Sequence, residues 1–297
     1  MIRQTRREFM GGALSAAAFA MVAKKARANA MGLPLAIQLY SVREQMADDL
    51  DMALAAVAAA GFVEVEAAAL PKKSAKEIRA SLDKAGLRCV SAHHGFADLA
   101  PRFDELVAYD AELGAKYVIC ASPGHRTSSA ASSGGPLAVS LDDWRYNAER
   151  FNEFGERAEK LGIQFGYHNH VGEFHTVEGV LPYDELIKLT DPKKVTFELD
   201  CGWAIVGAHD PIEVMQQHPY RISMLHVKDF HREEVVDGPA HEPKVTELGR
   251  GDINYKPVLA QAKKNQSIRH AFVEQEAFDV PWKESLKIDA EYMKVLT

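Results

Sequence analysis

The stretch EKLGIQFGYHN, residues 159–169, changes from a helical pattern to an apolar strand pattern at a single glycine. Glycine adopts the left-handed conformation that ends a helix, and the apolar run that follows is typical of a buried strand. The same order recurs in AAAGFVEVEA at Gly61, DKAGLRCVSAH at Gly86 and AELGAKYVICA at Gly114. Each of these stretches therefore predicts a joint between a helix and the strand that follows it.

Four further apolar runs bring the number of predicted strands to eight: LAIQLY (35–40), KVTFELD (194–200), RISMLHVK (221–228) and RHAFVEQE (269–276). Strands that alternate with helical segments at this spacing indicate a parallel sheet with right-handed crossovers. A doubly wound open sheet is the alternative, but it would carry a glycine-rich turn after the first strand, where this chain has SVREQM. We therefore predict an α/β fold, a single (β/α)8 TIM barrel over residues 31–297.

Residues 1–30 have the order of a signal peptide. Arg6 and Arg7 precede a mildly apolar run, and Ala28-Asn29-Ala30 resembles a cleavage site. The paired arginines indicate the twin-arginine export route and a periplasmic protein. The apolar run is shorter than the ~20 residues that span a membrane, so no membrane anchor is expected after cleavage. The alternative, an amphipathic first helix of the domain, is disfavoured because the segment has no polar face.

Charge and cysteine content narrow the possible functions. Removal of residues 1–30 changes the formal net charge from −7 to about −12, and an acidic surface disfavours binding to nucleic acid. The three cysteines lie in or beside apolar runs and are expected to be buried free thiols. Two long inserts follow predicted strands, at 127–136 and 231–252, and are candidate lids over the site.

Polar side chains gather where the predicted strands end, which is the face that carries the active site in barrel enzymes. In chain order they are Gln38 and Tyr40, Glu66, His93 and His94, Ser122, His168 to His170 with Glu173, Asp200, His226 and Lys228, and Glu274 and Glu276. Four of them follow neighbouring strands and would meet at one point: Glu173, Asp200, His226 and Glu274. Three carboxylates and an imidazole suit one divalent ion, namely Mn²⁺, Mg²⁺, Co²⁺ or Zn²⁺.

The motifs LAIQLYSVR, GYHNHVGEF, FELDCGWAIVGAHDP, LHVKD, ELGRGDINY and FVEQE resemble those of the xylose-isomerase-like sugar phosphate isomerase/epimerase superfamily across residues 33–297. The resemblance implies one divalent metal held by Glu, Asp, His and Glu at four strand ends. Asp200, His226 and Glu274 match the last three ligands. Many relatives have a glutamate where this chain has His168, so we expect Glu173 to be the first ligand, with His168 as the alternative.

The resemblance also implies removal of a proton from a carbon next to a carbonyl. Returning the proton isomerises or epimerises a sugar, whereas loss of a β-leaving group makes the enzyme a lyase. We expect His168, His170, Glu274 and Lys228 to be catalytic, although Lys228 could instead form a solvent-facing pair with Asp229. The substrate-binding candidates are Gln38, Tyr40, His93, His94 and Trp203.

A non-phosphorylated sugar or keto-sugar is the expected substrate, because no phosphate-binding glycine loop or arginine cluster is evident. The sequence thus favours a metal-dependent sugar isomerase/epimerase. The nearest alternative is a lyase, hydratase or dehydratase of 3-keto-glycosides or inososes. A non-catalytic sugar-binding barrel and a nuclease of the apurinic endonuclease type are more remote. A homo-oligomer is compatible with the sequence.

Overall fold

The computed structural model describes residues 28–127, 139–231, 243–265 and 267–295. Within these ranges eight parallel strands close into a barrel. They are β1 (Ala36–Gln38), β2 (Glu64–Ala67), β3 (Arg88–His94), β4 (Tyr117–Cys120), β5 (Gln164–His168), β6 (Val195–Asp200), β7 (Ile222–Val227) and, after a hairpin, β10 (His270–Val273). The antiparallel hairpin pairs β8 (Asp229–His231) with β9 (Lys244–Thr246). The predicted (β/α)8 barrel is confirmed.

Helices alternate with the barrel strands, as predicted. Those in the described ranges are α1 (Arg43–Asp48), α2 (Leu50–Ala60), α3 (Ala75–Ala85), α4 (Phe96–Leu113), α5 (Leu141–Lys160), α6 (Pro182–Leu189), α7 (Cys201–Val206), α8 (Pro211–Gln217), α9 (Tyr255–Lys264) and α10 (Trp282–Val295). Helices α2 and α4 end at Gly61 and Gly114, whose φ angles of 112° and 102° are left-handed. These glycines therefore act as the predicted helix stops.

The first strand is shorter than its sequence pattern suggests. Residues Leu39–Val42 of LAIQLY and the following segment form a 3₁₀ turn instead of a strand. The turn begins because the side-chain oxygen of Gln38 accepts a hydrogen bond of 2.8 Å from the backbone N–H of Tyr40. The chain is thereby bent toward the rim of the barrel at the point where the strand ends.

Period-two alternation places a polar layer above an apolar floor inside the barrel. The floor is a core cluster of its own, formed by Ala36, Ile119, Met224 and Phe272. Two residues further along three of these strands lie Gln38, His226 and Glu274, which are also buried. Because alternate residues of a strand face the same side, the strands carry these polar groups into the barrel interior. The larger apolar cluster packs the strands against the helices.

Contacts begin slightly before the predicted domain boundary at residue 31. Asn29 is buried and its side-chain oxygen accepts hydrogen bonds from the backbone of Met31 and Leu33. The backbone N–H of Ala30 donates to the carbonyl of Met293. Residues 1–27, which hold the predicted export signal, and most of both candidate lids (128–138 and 232–242) lie outside the described residues.

All three cysteines are buried and free, as expected from their apolar surroundings. In the part of the chain that the structure describes, no helix has the length and apolar character needed to cross a membrane.

Asp289 is a buried carboxyl that makes folding stability depend on pH. Its Oδ1 accepts a hydrogen bond of 2.8 Å from the backbone N–H of Leu248, whereas its Oδ2 has no hydrogen-bond partner among the described residues. Burial, followed by the nearby charges of Glu247 and Asp229, raises the pKa of Asp289 to about 7. Since the unfolded pKa is ~3.9, the ionised form disfavours the folded state, and stability falls as pH rises from about 4 through 7.

We expect Asp289→Asn to raise the thermal midpoint at pH 8, and to raise it less at pH 5. The amide can keep the bond from Leu248 without carrying a buried charge, and each kcal/mol gained corresponds to roughly 2–4 °C in a chain of this size. Thermal unfolding at the two pH values measures the effect. Glu284→Gln, an exposed carboxylate on the same helix, is the control. An equal gain at both pH values, or a loss at pH 8, would contradict the prediction.

Candidate active site

A cleft of about 300 Å³ opens at the C-terminal ends of the barrel strands. Its lining residues are Gln38, Tyr40, Ala68, His93, His94, Gly95, Ala121, His168, His170, Trp203, Glu274 and Glu276. All five residues predicted to bind substrate are therefore brought together in one cleft. Three of the four predicted catalytic residues, His168, His170 and Glu274, line the same cleft.

Four buried side chains at the floor of this cleft could hold a metal ion: His168, Asp200, His226 and Glu274. One donor atom from each lies within 4.8 Å of the others. His226 Nδ1 is 3.0 Å from Glu274 Oε2, and His168 Nε2 is 3.8 Å from Asp200 Oδ2. We refer to these four residues as the metal cluster.

Glu173, the expected first ligand, lies outside the metal cluster. Its carboxylate accepts hydrogen bonds from the hydroxyl of Tyr167 and from the backbone N–H of His170. Tyr167 precedes His168 on β5, so the two side chains face opposite sides of the strand. Glu173 thus packs behind the strand, where burial raises its pKa to about 7. The geometry places the alternative residue, His168, in the cluster instead.

A second layer of carboxylates lies directly beneath the metal cluster. Glu66 and Glu198 are fully buried, and Glu198 Oε2 is 2.6 Å from His93 Nε2. Burial by itself lowers the pKa of His93, but the charges of Glu66 and Glu198 outweigh it and raise that pKa to about 9. His93 is therefore a cation between two carboxylates, and less available for substrate than we expected.

Glu198 is the buried site residue that the sequence interpretation missed. The signal was present, because in FELD (197–200) Glu198 is two residues before Asp200 and must face the same side of the strand. The prediction used only the polar residues at the very ends of the strands, and Glu198 lies one inward-facing position earlier.

Lys228 is buried and does not pair with Asp229. Its ammonium is 3.0 Å from Asp200 Oδ2, 2.7 Å from Glu274 Oε2 and 2.6 Å from Glu276 Oε1. Burial would lower the pKa of Lys228, but the charges of Asp200 and Glu274 raise it well above its usual value. Lys228 therefore carries its positive charge in the site. Asp229 instead accepts backbone hydrogen bonds from residues 249, 251 and 253.

His170 presents an imidazole to the cleft without a committed partner. Its ring lies 5.0 Å from that of His168 and 6.1 Å from that of Trp203, measured between centroids. No hydrogen bond joins this imidazole to another residue in the described part of the chain. Burial and the positive charge of Lys228 lower the pKa of His170 to about 4. A neutral imidazole in this position can accept a proton.

The remaining residues predicted to bind substrate differ in whether their side chains already form hydrogen bonds within the protein. Gln38 is buried, and its amide donates to Glu66 Oε2 at 3.1 Å. His94 Nε2 is held at 2.8 Å from Asp110 Oδ2. Tyr40 is 40% exposed at the rim, and Trp203 lies 5.0 Å from the Lys228 ammonium, measured from its ring. Tyr40 at the rim and the largely buried Trp203 thus contribute aromatic rings to the lining of the cleft.

Two curated relatives are similar over much of this chain. An inosose dehydratase of Clostridium perfringens is 26% identical over 176 residues, which are 55% of this chain and 59% of that protein. An inosose dehydratase of Geobacillus kaustophilus is 27% identical over 233 residues, which are 71% of this chain and 75% of that protein. The match thus spans less than two thirds of the first relative and three quarters of the second.

Solved structures with the same fold include enzymes named for sugar isomerisation. A sugar phosphate isomerase/epimerase from Parabacteroides distasonis has a TM-score of 0.70 and 27% identity, and covers 88% of this chain and 93% of its own. The IOLI protein, solved with a zinc atom, has a TM-score of 0.66 and 14% identity over 87% of this chain and 95% of its own. A Mycobacterium smegmatis barrel solved with magnesium has a TM-score of 0.61 and 18% identity over 89% and 95%.

The last two similarities show the fold alone. The family model described as the xylose isomerase-like TIM barrel matches residues 54–296, which is most of the chain. The named relatives include sugar isomerases/epimerases and inosose dehydratases. This chain therefore belongs to the xylose isomerase-like TIM barrel family.

Proposed function

We propose that this protein is a metal-dependent dehydratase of a non-phosphorylated cyclic keto-polyol, such as an inosose or a ring keto-sugar. The observation that carries the proposal is the metal cluster at the floor of a cleft in which the imidazole of His170 has no hydrogen-bond partner among the described residues. The named relatives support dehydration, because two of them are inosose dehydratases.

The metal cluster fits a divalent cation. Asp200 Oδ2 is buried and accepts no well-aligned hydrogen bond, although Lys228 Nζ lies 3.0 Å away. Two carboxylates and two imidazoles offer two negative charges and four donor atoms. Imidazole nitrogens favour Zn²⁺, Co²⁺ and similar ions over Mg²⁺. We therefore narrow the candidates to Zn²⁺, Co²⁺ and Mn²⁺, held by His168, Asp200, His226 and Glu274.

A bound divalent ion supplies a Lewis acid for the carbonyl and the adjacent hydroxyl oxygen of the substrate. The protein supplies the proton transfers. His170 takes the proton from the carbon next to the carbonyl, and the electron pair of that C–H bond forms a double bond to the β-carbon as the C–O bond of the β-hydroxyl breaks. The leaving hydroxide takes the proton back from His170 and departs as water.

Lys228 keeps the acidic residues around the cleft in place. Its ammonium bridges Glu274 and Glu276, so the carboxylate of Glu276 is held at the cleft wall. Lys228 also offsets part of the negative charge that would otherwise accumulate beside Asp200. Trp203 and Tyr40 provide aromatic faces against which the C–H surface of a polyol ring can pack.

The lining of the cleft favours a substrate without a phosphate group. Among the described residues no arginine or lysine is part of that lining, whereas Glu274 and Glu276 are. A phosphate dianion would lie beside the carboxylate of Glu276 without an arginine or lysine of the lining to bind it. A neutral polyol can instead donate hydroxyl hydrogen bonds to these carboxylates.

Sugar isomerisation or epimerisation is the second candidate function. The Parabacteroides distasonis isomerase/epimerase supports it, because the similarity covers nearly the whole of both chains. The first step would be the same, with His170 as the base. The outcome differs only in whether the proton returns to carbon or a hydroxide leaves.

We also propose that the protein reaches the periplasm by the twin-arginine route, on the evidence of Arg6 and Arg7.

Metal-loaded protein should convert an inosose or a ring keto-sugar to a product that has lost one water. Proton NMR in D₂O, run on inososes, free ketoses and 3-keto-glycosides, separates the candidate reactions. Dehydration yields a new double bond or its diketone tautomer, whereas epimerisation yields deuterium at an inverted carbon. Chelator-treated protein is the control and should be inactive. Full activity after chelation, or no stoichiometric metal by elemental analysis, would contradict the proposal.

A further inference from the structure

We infer that Glu198, supported by Glu66, is a positioning residue that determines which ring nitrogen of His168 and of His226 faces the metal. This inference rests on the proposed metal site. It concerns the layer of carboxylates beneath the metal cluster and assigns no contact with substrate to either glutamate.

The two imidazoles of the metal cluster use different nitrogens toward the cleft. His168 directs Nε2 toward Asp200, and His226 directs Nδ1 toward Glu274. The opposite nitrogen of each ring points down into the barrel. A metal ligand must present an unprotonated nitrogen, so each ring has to carry its proton on the lower side.

The lower nitrogens meet buried carboxylates. His168 Nδ1 lies 3.1 Å from Glu198 Oε2. His226 Nε2 lies 2.7 Å from Glu66 Oε2 and 3.2 Å from Glu198 Oε2. A carboxylate accepts hydrogen bonds and donates none, so it stabilises the tautomer with the proton on the nearby nitrogen. His226 Nδ1 also faces a carboxylate, Glu274 Oε2 at 3.0 Å, so a metal would displace the proton on that side while Glu66 and Glu198 keep the proton on Nε2. His168 Nε2 and His226 Nδ1 are therefore the nitrogens that the lower carboxylates leave to a metal.

Glu198 and Glu66 are themselves fixed by the surrounding groups. His93 Nε2 lies within 3.0 Å of an oxygen of each, and the His93 ring stacks on that of His226 at 5.2 Å with an angle of 1°. Gln38 donates to Glu66. Both glutamates are fully buried. These contacts hold Oε2 of each glutamate against the lower ring nitrogens, whereas Oε1 of each has no hydrogen-bond partner among the described residues.

Four residues of this region, which include Glu198 and both histidines of the metal cluster, could instead form a second metal site. His93, His168, Glu198 and His226 also place one donor atom each within 4.8 Å of the others. An ion there would need the lower nitrogens of His168 and His226, which then could not carry protons. Both rings would have to bridge two ions as imidazolates. Hydrogen bonds to Glu198 and Glu66 satisfy the lower ring nitrogens without any bridging imidazolate.

Glu198→Gln should weaken metal binding while the protein stays folded. Loss of an orienting carboxylate usually lowers metal affinity ~10- to 100-fold. Competition with a chelator gives the Kd for Co²⁺, and the visible cobalt spectrum should change because the ligand geometry relaxes. Asp110→Asn, a buried carboxylate that contacts His94 outside the metal cluster, should leave both unchanged. Glu66→Gln tests the same arrangement at His226 if Glu198→Gln does not fold.

The outcomes separate this inference from the proposed function. If the wild-type protein binds cobalt but Glu198→Gln and Glu66→Gln keep its affinity within twofold and its spectrum unchanged, the inference is overturned while the metal site stands. If the wild-type protein binds two ions and Glu198→Gln binds one, Glu198 is itself a ligand and the inference is also overturned. If the wild-type protein binds no metal, the proposed function fails and the inference fails with it.

Discussion

His168→Ala is expected to lose the bound metal and to lower turnover by ~10³-fold or more. A Lewis acid lowers the activation barrier by several kcal/mol, and each ~1.4 kcal/mol lost slows the reaction about tenfold. The reason lies in the geometry of the metal cluster, where His168 supplies one of four donor atoms within 4.8 Å of one another. Alanine removes that donor and leaves Asp200, His226 and Glu274. Elemental analysis and steady-state kinetics measure the two effects.

Glu173→Gln is the matched control, since the sequence predicted Glu173 as the first metal ligand, with His168 as the alternative. The amide oxygen can accept the bond from the His170 backbone N–H while the amide NH₂ donates to the Tyr167 hydroxyl, so the turn should persist. We expect this variant to keep about one metal ion per chain. Retention of metal by His168→Ala together with its loss from Glu173→Gln would restore the assignment made from sequence.

The fold could be predicted almost completely because each joint is encoded locally. A glycine such as Gly61 or Gly114 ends a helix through its own left-handed φ, and the apolar run that follows forms the strand. Two features were not predicted, namely the β8–β9 hairpin after β7 and the end of the first strand. There the backbone N–H of Tyr40 donates a hydrogen bond to the side-chain oxygen of Gln38 and begins a turn, and no periodicity in the sequence reveals such a contact.

The site could be predicted only in part, because the direction of each side chain mattered as much as its position. Asp200, His226 and Glu274 lie at strand positions whose alternation points them inward, and the structure brings them together. Glu173 lies in a 3₁₀ turn after β5, where strand alternation says nothing. Counting carboxylates favoured Glu173, whereas alternation from the strand itself would have favoured His168.

An imidazole at residue 168 limits what the metal cluster can do. A metal-bound His168 cannot also serve as a base through Nε2, and its Nδ1 faces Glu198 at 3.1 Å. The proton-transfer role that we expected His168 to share therefore passes to another residue. Of the imidazoles that line the cleft, His93 and His94 face carboxylates, and for this reason we propose His170 as the base.

His170→Ala is accordingly expected to lower turnover by ~10²- to 10⁴-fold, the usual contribution of a positioned base, without loss of metal. Its imidazole lies beside His168 in the cleft and forms no hydrogen bond with a described residue. Removing it should not disturb the metal cluster. With the substrate identified by NMR, exchange of the carbon-bound proton for solvent deuterium should cease, while substrate binding changes little.

His94→Ala provides the comparison, because it removes a second imidazole from the same cleft. His94 Nε2 is held by Asp110 at 2.8 Å, so the other ring nitrogen is the one that can face a substrate. We expect its loss to raise KM and to leave deuterium exchange intact. If exchange ceases in His94→Ala and continues in His170→Ala, the base is His94. If exchange continues in both variants, neither imidazole takes the proton from carbon, and the carboxylate of Glu276, held at the cleft wall by Lys228, becomes the group to test.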